Sequence, residues 1–271
     1  SVQHRLKVII DSKNLVLENV YNQEPLSYDE SMEWCRSQAE FFKDYICDVG
    51  TLLGAAAGQG KNILFEAQLG ALRDIDYGIY PFTSSSNTIA SYAPIGAGIP
   101  GCALDNVVGV MKAYSTCVGE GPFVAETAMG EAWNEKLRES GGEFGAATGR
   151  PRRVGPFDAV ASRYGIRCQK AQDIALTKLD VLGAFDKIPV ITGYRLHGVL
   201  LDSFPTDSIL DESEPVIEEL PGWGCDISGC RSWKDLPENA RKYVCTLEKL
   251  VDHPIYLVST GAERDAYLLR E

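Results

Sequence analysis

The chain is poor in histidine and in methionine, with three of each in 271 residues. It has no apolar run near the ~18 residues that a membrane-spanning helix needs. It also has no Cys-x-x-Cys pair among its eight cysteines. Each shortage excludes something. His4 lies at a terminus, His197 in an expected turn and His253 just before Pro254 at an expected strand entrance, so none is expected to be catalytic. Cys225 and Cys230 are the closest cysteine pair but have no second pair or nearby histidine, so no metal site is expected. Cysteines scattered through apolar contexts read as reduced thiols, and a cytoplasmic location is expected.

Positive charge is also short. Lysine and arginine number 26 against 38 aspartates and glutamates, a formal net charge of −12. Phosphate neutralisation needs a basic surface, so no nucleic-acid partner is expected, and no membrane partner either. An anionic ligand has to be met by a local basic cluster. The start, "SVQHRLKVIID", lacks the apolar centre of a signal peptide and begins with Ser1 rather than Met. A processed chain, or a piece of something longer, is expected.

Two glycine-rich stretches approach known phosphate loops and miss. "GAAAGQGK", Gly54 to Lys61, has Ala55 where the pattern needs glycine and Asn62 where it needs Ser or Thr. It also follows a helical pattern instead of a strand, and reads as a helix C-cap and loop. "GAGIPG", Gly96 to Gly101, fits a dinucleotide fingerprint in letters only, because no strand precedes it.

A hydrophobic content of 45% supports a substantial core. From Tyr28 to about Leu53 apolar residues recur at helical spacing, which predicts one long amphipathic helix. "ILFEA", Ile63 to Ala67, reads as a short buried strand, and Val107 to Thr116 as another. "AMGEAWNEKLRES" reads as a helix stopped by Gly141 and Gly142, and "GPFDAVASRYGIRCQK" as a helix with Pro156 near its first turn. "DIALTKLD", "IPVITGYRLHG" and "HPIYLVSTG" are unalternated apolar runs separated by crossovers, the pattern of a parallel sheet covered on both faces. The acidic, turn-rich stretch Asp202 to Gly229 reads as a surface excursion. The expected organisation is a helical segment over 1–61 and an open α/β sheet over 62–271.

Four constellations could carry function. In "EFGAATGRPRRVG", Arg150, Arg152 and Arg153 follow a flexible segment whose backbone N–H groups and Thr148 hydroxyl could complete an anion pocket. In "IALTKLDVLGAF", Lys178 and Asp180 leave a strand. An aspartate can accept guanine's N1–H and N2–H₂ while a lysine stem lies along the ring. In "YLVSTGAERD", Ser259, Thr260 and Gly261 end a strand before an acidic first helical turn. The exits at Lys178, Tyr194 and Ser259 are expected to converge on one crevice, because ligands gather at the carboxyl ends of such sheets. "DIDYGIYPFTSSSNT", Asp74 to Thr88, is a loop dense in hydrogen-bonding groups.

In order along the chain, "DIDYGIYPFTSSSNT", "VGVMKAYSTCVGEGPFVAE", "EFGAATGRPRRVGPFDAVASR", "LTKLDVL", "ELPGW" and "VSTGAERD" resemble the adenylosuccinate synthetase family. The resemblance runs from about Asn62 to the C-terminus. It implies a carbon–nitrogen ligase of purine and AMP biosynthesis that joins L-aspartate to IMP at the expense of GTP, with Mg²⁺, giving adenylosuccinate, GDP and phosphate. It implies a phosphate-loop-type sheet, incomplete at its N-terminal strands, and a homodimer for the full enzyme. By resemblance Lys178, Leu179, Asp180, Ser259, Thr260 and Gly261 hold guanine, and Arg152 reaches GTP. Ala146, Ala147, Thr148, Gly149, Arg150, Pro151 and Arg152 form the loop that receives L-aspartate. Gln68, Thr83, Ser84, Val118 and Arg150 are the implied IMP contacts.

The chain departs from the family at several points. It reads "FEAQLG" where the family has "EGAQG", which shifts the register of Gln68, and has Pro151 in place of an arginine and Tyr77 in place of a histidine. The family's "GDEGKGK" loop with its general-base aspartate, and its general-acid histidine, do not occur in these residues. No catalytic residue is therefore assigned here, the Mg²⁺ ligands are expected elsewhere, and this chain alone is expected to be inactive. The alternative is a guanine-nucleotide-binding module without chemistry.

Overall fold

A computed structural model describes residues 2–270. The chain divides into two compact units, Ser1–Asn62 and Ile63–Glu271.

The first unit holds α1 (Val2–Asn19), α2 (Tyr28–Phe42) and α3 (Val49–Gly58). Ser27 starts α2 by accepting the Glu30 N–H on its hydroxyl, and Asp29 and Glu30 favour the positive end of the helix. Asn14 of α1 brackets Leu26 from both sides, donating to its carbonyl at 3.0 Å and accepting its N–H at 2.7 Å. The long helix expected from Tyr28 to Leu53 is broken instead. A single tight turn, Lys43–Tyr45, ends it, Ile46 is extended, and the Asp48 carboxylate accepts the Thr51 N–H at 3.0 Å to start α3. Apolar periodicity continues across the break, but a good N-cap in its path starts a separate helix. "GAAAGQGK" is helical through Gly58, past the end expected near Leu53, and the helix stops only at its C-cap Gln59.

The second unit is mixed α/β. Its helices are α4 (Ala93–Gly96), α5 (Val124–Thr127), α6 (Glu131–Gly141), α7 (Ala159–Gln169) and α8 (Glu238–Val251). Its strands are β1 (Val108–Lys112), β2 (Ser115–Cys117), β3 (Arg153–Gly155), β4 (Phe157–Asp158), β5 (Asp173–Thr177), β6 (Lys187–Leu196), β7 (Val199–Leu200), β8 (Glu214–Pro221), β9 (Ile255–Ser259) and β10 (Tyr267–Leu269). The sheet that matters for the site runs β1-β5-β9-β10, with β5 parallel to both neighbours and β10 antiparallel at the edge. Ile174 and Leu176 of β5 are fully buried, as apolar runs in a two-sided sheet should be. α8 brings Ala240, Tyr243, Val244, Leu247 and Val251 to the same core at helical spacing. The Tyr243 hydroxyl donates to the Ala113 carbonyl at 2.7 Å just past β1, so the phenol's polar end is satisfied inside the core.

α6 stops at Gly141 as expected, with Gly142 in the left-handed conformation that glycine allows at low cost. Four expectations change. "ILFEA" forms no strand and Leu64 is 92% exposed; it meets no ladder among the described residues, and an unpaired segment cannot be a strand. The strand expected over Val107 to Thr116 splits into β1 and β2, which pair with different partners, β5 and β3. α7 begins at Ala159, where Asp158 caps the Ala161 N–H at 3.0 Å, so Pro156 lies before it, at the bend between β3 and β4. β6 joins a second sheet, parallel to β4 and antiparallel to β7 and β8. The acidic excursion folds back as β8 along nearly the whole of β6 and claims it.

That last change removes Tyr194 from the expected crevice. Its side chain is 1% exposed and donates its hydroxyl to the Asp158 carboxylate. Burial pushes the Asp158 carboxyl up from 3.8 to about 6, against the downward pull of the Tyr194 and Ala161 hydrogen bonds. The eight cysteines are all free thiols, and among the described residues no helix is long and apolar enough to cross a membrane.

A carboxyl raised on folding contributes stability below its unfolded pKa and loses it as the pH climbs through the folded value. Asp158→Asn removes that titration. In urea denaturation the Asn variant is expected to gain on the wild type by up to about 3 kcal/mol between about pH 4 and about pH 6. A difference that stays constant with pH contradicts this reading of Asp158.

Candidate functional site

β5 and β9 run parallel, so their carboxyl ends open on the same side of the sheet. At the first of these ends Lys178 takes a left-handed backbone, φ 63°, which turns the chain sharply out of the strand. Its ammonium donates to the Gly141 carbonyl at 2.9 Å and satisfies the C-terminus of α6. Leu179 is buried in the core and anchors the turn. Asp180 then opens a short tight helix, Asp180–Ala184, and faces a cavity of about 450 Å³ together with Ser140, Gly183, Gly224, Asp226 and Ser228.

The second strand end abuts this cavity's wall. Ser259 donates its hydroxyl to the Gly261 carbonyl at 2.9 Å, and buried Thr260 donates to the Cys230 carbonyl at 3.1 Å. A Cβ on Gly261 would stand 3.9 Å from that of Ser228, so the 259–261 turn lies against the loop that lines the cavity. The fold therefore brings Asp180 and Ser259–Gly261 to one place, with Lys178 at its edge. Sequence reasoning missed the 224–228 loop; its one visible signal was the glycine-rich spacing between Cys225 and Cys230, which drew attention only as a poor zinc site.

The arginine cluster is less open than its composition implies. Arg153 donates to the Glu126 carboxylate at 2.7 Å and to the Gly121 carbonyl at 2.7 Å, so it is committed to holding β3 against the 119–121 turn. Arg152 donates to Glu143 at 2.9 Å. Arg150 is exposed and forms no ion pair among the described residues. Ala146, Ala147, Thr148 and Gly149 are exposed beside it, in a loop whose ends meet where Phe144 bridges Pro151. The three arginines are thus one exposed cation, one held by Glu143 and one committed to Glu126 and the 119–121 turn.

Glu143 organises this corner. It is 1% exposed and accepts from Lys112 at 2.8 Å, Tyr114 at 2.6 Å and Arg152 at 2.9 Å. Burial would raise its carboxyl, but the bonds from Lys112 and Tyr114, the Lys112 charge and the Arg152 bond hold it below the ordinary range. Burial lowers the Lys112 ammonium despite its bond to Glu143, with the like charges of Arg152 and Lys178 adding to the effect. Burial and the bond to Glu143 push the Tyr114 phenol well up.

Of the expected IMP contacts, Ser84 and Val118 are drawn together by a residue the sequence reading passed over. The Arg73 carbonyl accepts the Ser84 N–H at 2.8 Å, and its guanidinium donates to the carbonyls of Phe82, Val118 and Glu120. Thr83 lies between Phe82 and Ser84 and is half-buried. Gln68 is exposed, beside Leu69 and Gly70, both with positive φ. Asp74 explains why this long loop is ordered: its buried carboxylate accepts the N–H groups of Asp76, Tyr77, Thr88 and Ile89. Among the described residues no group of three or more His, Cys, Asp or Glu is placed to hold a metal ion.

Gly183 sets the cavity's floor. A Cβ there would stand 2.5 Å from the Cys225 carbonyl oxygen and 3.2 Å from the Trp223 indole nitrogen. Gly183→Ala is expected to cost about 1–3 kcal/mol in urea denaturation, because backbone must move to admit the methyl group. Unchanged stability would show that the 224–228 loop is not held where the structure places it.

The family profile described as adenylosuccinate synthetase matches residues 1–268. The chain is 46% identical over 266 residues to adenylosuccinate synthetase of Trichlorobacter lovleyi, covering 98% of this chain and 61% of that protein. It is 44% identical over 266 residues to the Pelobacter propionicus protein of the same name, with the same coverage of 98% and 61%. A solved structure of fully ligated adenylosuccinate synthetase from Plasmodium falciparum superposes with a TM-score of 0.91 at 33% identity, over 100% of this chain and 63% of that one. The chain thus spans about 61% of the length of the curated relatives it matches. It belongs to the adenylosuccinate synthetase family.

Proposed function

We propose that these residues form the guanine-, IMP- and L-aspartate-binding part of an adenylosuccinate synthetase, corresponding to about its last two thirds. The whole protein joins L-aspartate to IMP in the cytoplasm, as a homodimer. GTP phosphorylates the 6-oxygen of IMP, and the aspartate amine displaces that phosphate, giving adenylosuccinate, GDP and phosphate. The observation that carries the reading is Asp180 lining an open depression of about 450 Å³ at the carboxyl end of a parallel sheet.

Within this scheme each group has a physical task. Asp180 accepts the N1–H and N2–H₂ donors of guanine, an acceptor–donor match that adenine cannot make. Leu179 fixes the turn that aims it, the Lys178 stem borders the base, and Ser259, Thr260 and Gly261 close the other side. Arg150, with Ala146, Ala147, Thr148, Gly149 and Pro151, receives the carboxylates of L-aspartate, where a guanidinium fork suits the ligand. Arg152 spans from that loop towards GTP. Gln68, Thr83, Ser84 and Val118 border IMP, and Arg150 reaches it too. The Mg²⁺ that the family implies finds no ligand set among the described residues, so no step here passes through it.

Calorimetry separates this reading from plain folding. The chain is expected to bind GDP in preference to ADP, and Asp180→Asn to erase that preference by leaving guanine's donors without their charged acceptor, a loss of about 1–3 kcal/mol. Equal affinity of the wild type for both nucleotides would remove guanine from the proposal. The 271-residue chain alone is expected to give no GTP- and aspartate-dependent absorbance change on IMP, since it carries no phosphate-loop pattern. Turnover by the purified chain would show that these residues contain the acid–base machinery after all.

A further inference from the structure

A buried carboxylate is a costly way to hold a loop. A well-packed apolar group of similar size would usually serve stability as well or better, so a buried ionic cluster calls for another reason. Glu143 is such a group, and it sits at the root of the arginine loop. The Arg152 N–H donates to the Glu143 carbonyl at 2.9 Å, while the Arg152 guanidinium meets the same residue's carboxylate. Root and tip are coupled, because the Gly145 N–H donates to the Arg150 carbonyl at 2.8 Å and the Gly149 N–H to the Gly145 carbonyl at 2.8 Å. Glu143 also ties this root to the sheet, through Lys112 at the carboxyl end of β1 and Tyr114 just beyond it.

The charges at this corner do not cancel. Lys112 and Arg152 both meet the one buried carboxylate, while the charge of Lys178 is felt at Lys112 and that of Asp180 at Tyr114. Arg150 adds a further cation on the exposed side. The cluster keeps positive charge to offer to an anion while being rigidly held by a single acid. Arg152 uses Nη1 on Glu143, and its buried Nε has no hydrogen-bond partner.

We propose that Glu143 is a positioning residue for the dicarboxylate-binding loop: shared by Lys112, Tyr114 and Arg152, it fixes the loop's root to the sheet and sets the angle at which Arg150 and Arg152 meet an anionic ligand. Glu143 itself touches no substrate. The inference deepens the proposed function and rests on it for the identity of the ligand as L-aspartate.

Two measurements on Glu143→Gln, which keeps the shape and removes the charge, test the proposal separately from the function. In the 271-residue chain, hydrogen exchange of the Gly145 and Gly149 amides is expected to accelerate while Val244 and Leu247 in α8 keep their protection. In the full-length enzyme, KM for L-aspartate is expected to rise about ten- to a hundredfold, and KM for IMP by much less because Arg150 is the one IMP contact carried by this loop, as for a misaligned binding loop. Glu143→Asp, retaining the charge, restores part of the loss, and Tyr114→Phe, which removes one donor without stranding a charge, gives a smaller rise in the same direction. Unchanged exchange at Gly145 and Gly149, or a KM increase equal for both substrates, overturns the positioning role. A full-length wild type that does not consume L-aspartate overturns the proposed function instead, and the exchange measurement still decides whether Glu143 holds the loop.

Discussion

The parallel pairing of β5 with β1 and β9 is the constraint on which the rest of the site depends. Parallel strands present their carboxyl ends on one side, so three chain exits far apart in sequence are delivered to the same region without any of them recognising another. Lys112 leaves β1, Lys178 and Asp180 leave β5, and Ser259 leaves β9. The core beneath, with Ile174 and Leu176 from β5 and Tyr243 and Leu247 from α8, fixes that alignment by close packing.

Three buried carboxylates then shape the loops above, each by a different solution to the same electrostatic problem. Asp74 is met by four backbone N–H groups and orders a long loop from within. Glu143 is met by two cations and a phenol and joins the arginine loop to the sheet. Asp158 has no cation hydrogen-bonded to it, only Tyr194 and the start of α7, and its proton affinity rises as a result. The contrast follows from the partners: charged donors hold a carboxylate ionised, whereas a phenol and backbone amides do not offset complete burial.

Part of this was readable in advance. The helix stop at Gly141–Gly142, the apolar strands β5 and β9, and the polar residues at their exits carry local signals, because turn chemistry and apolar runs depend on near neighbours. Several features were not readable. Whether "ILFEA" is a strand depends on a partner strand, not on its own letters. Tyr194 left the expected crevice because β8, more than a dozen residues later, claims β6. Arg73 looked like an ordinary loop residue, yet its guanidinium joins the 82–84 turn to the 118–120 turn. Of the three arginines in "GRPRR", composition could not tell the structural one from the exposed one.

The amino-acid sequence by itself determined which side chains end the strands, where helices begin and stop, and the order of motifs that marks the family, since each is written in contiguous residues. Only the tertiary structure decided which of those strand ends share a crevice, which carboxylates are buried, and which cations stay exposed. Those outcomes depend on partners distant in the chain: a carboxylate's burial and a guanidinium's commitment are set by whatever packing brings beside them.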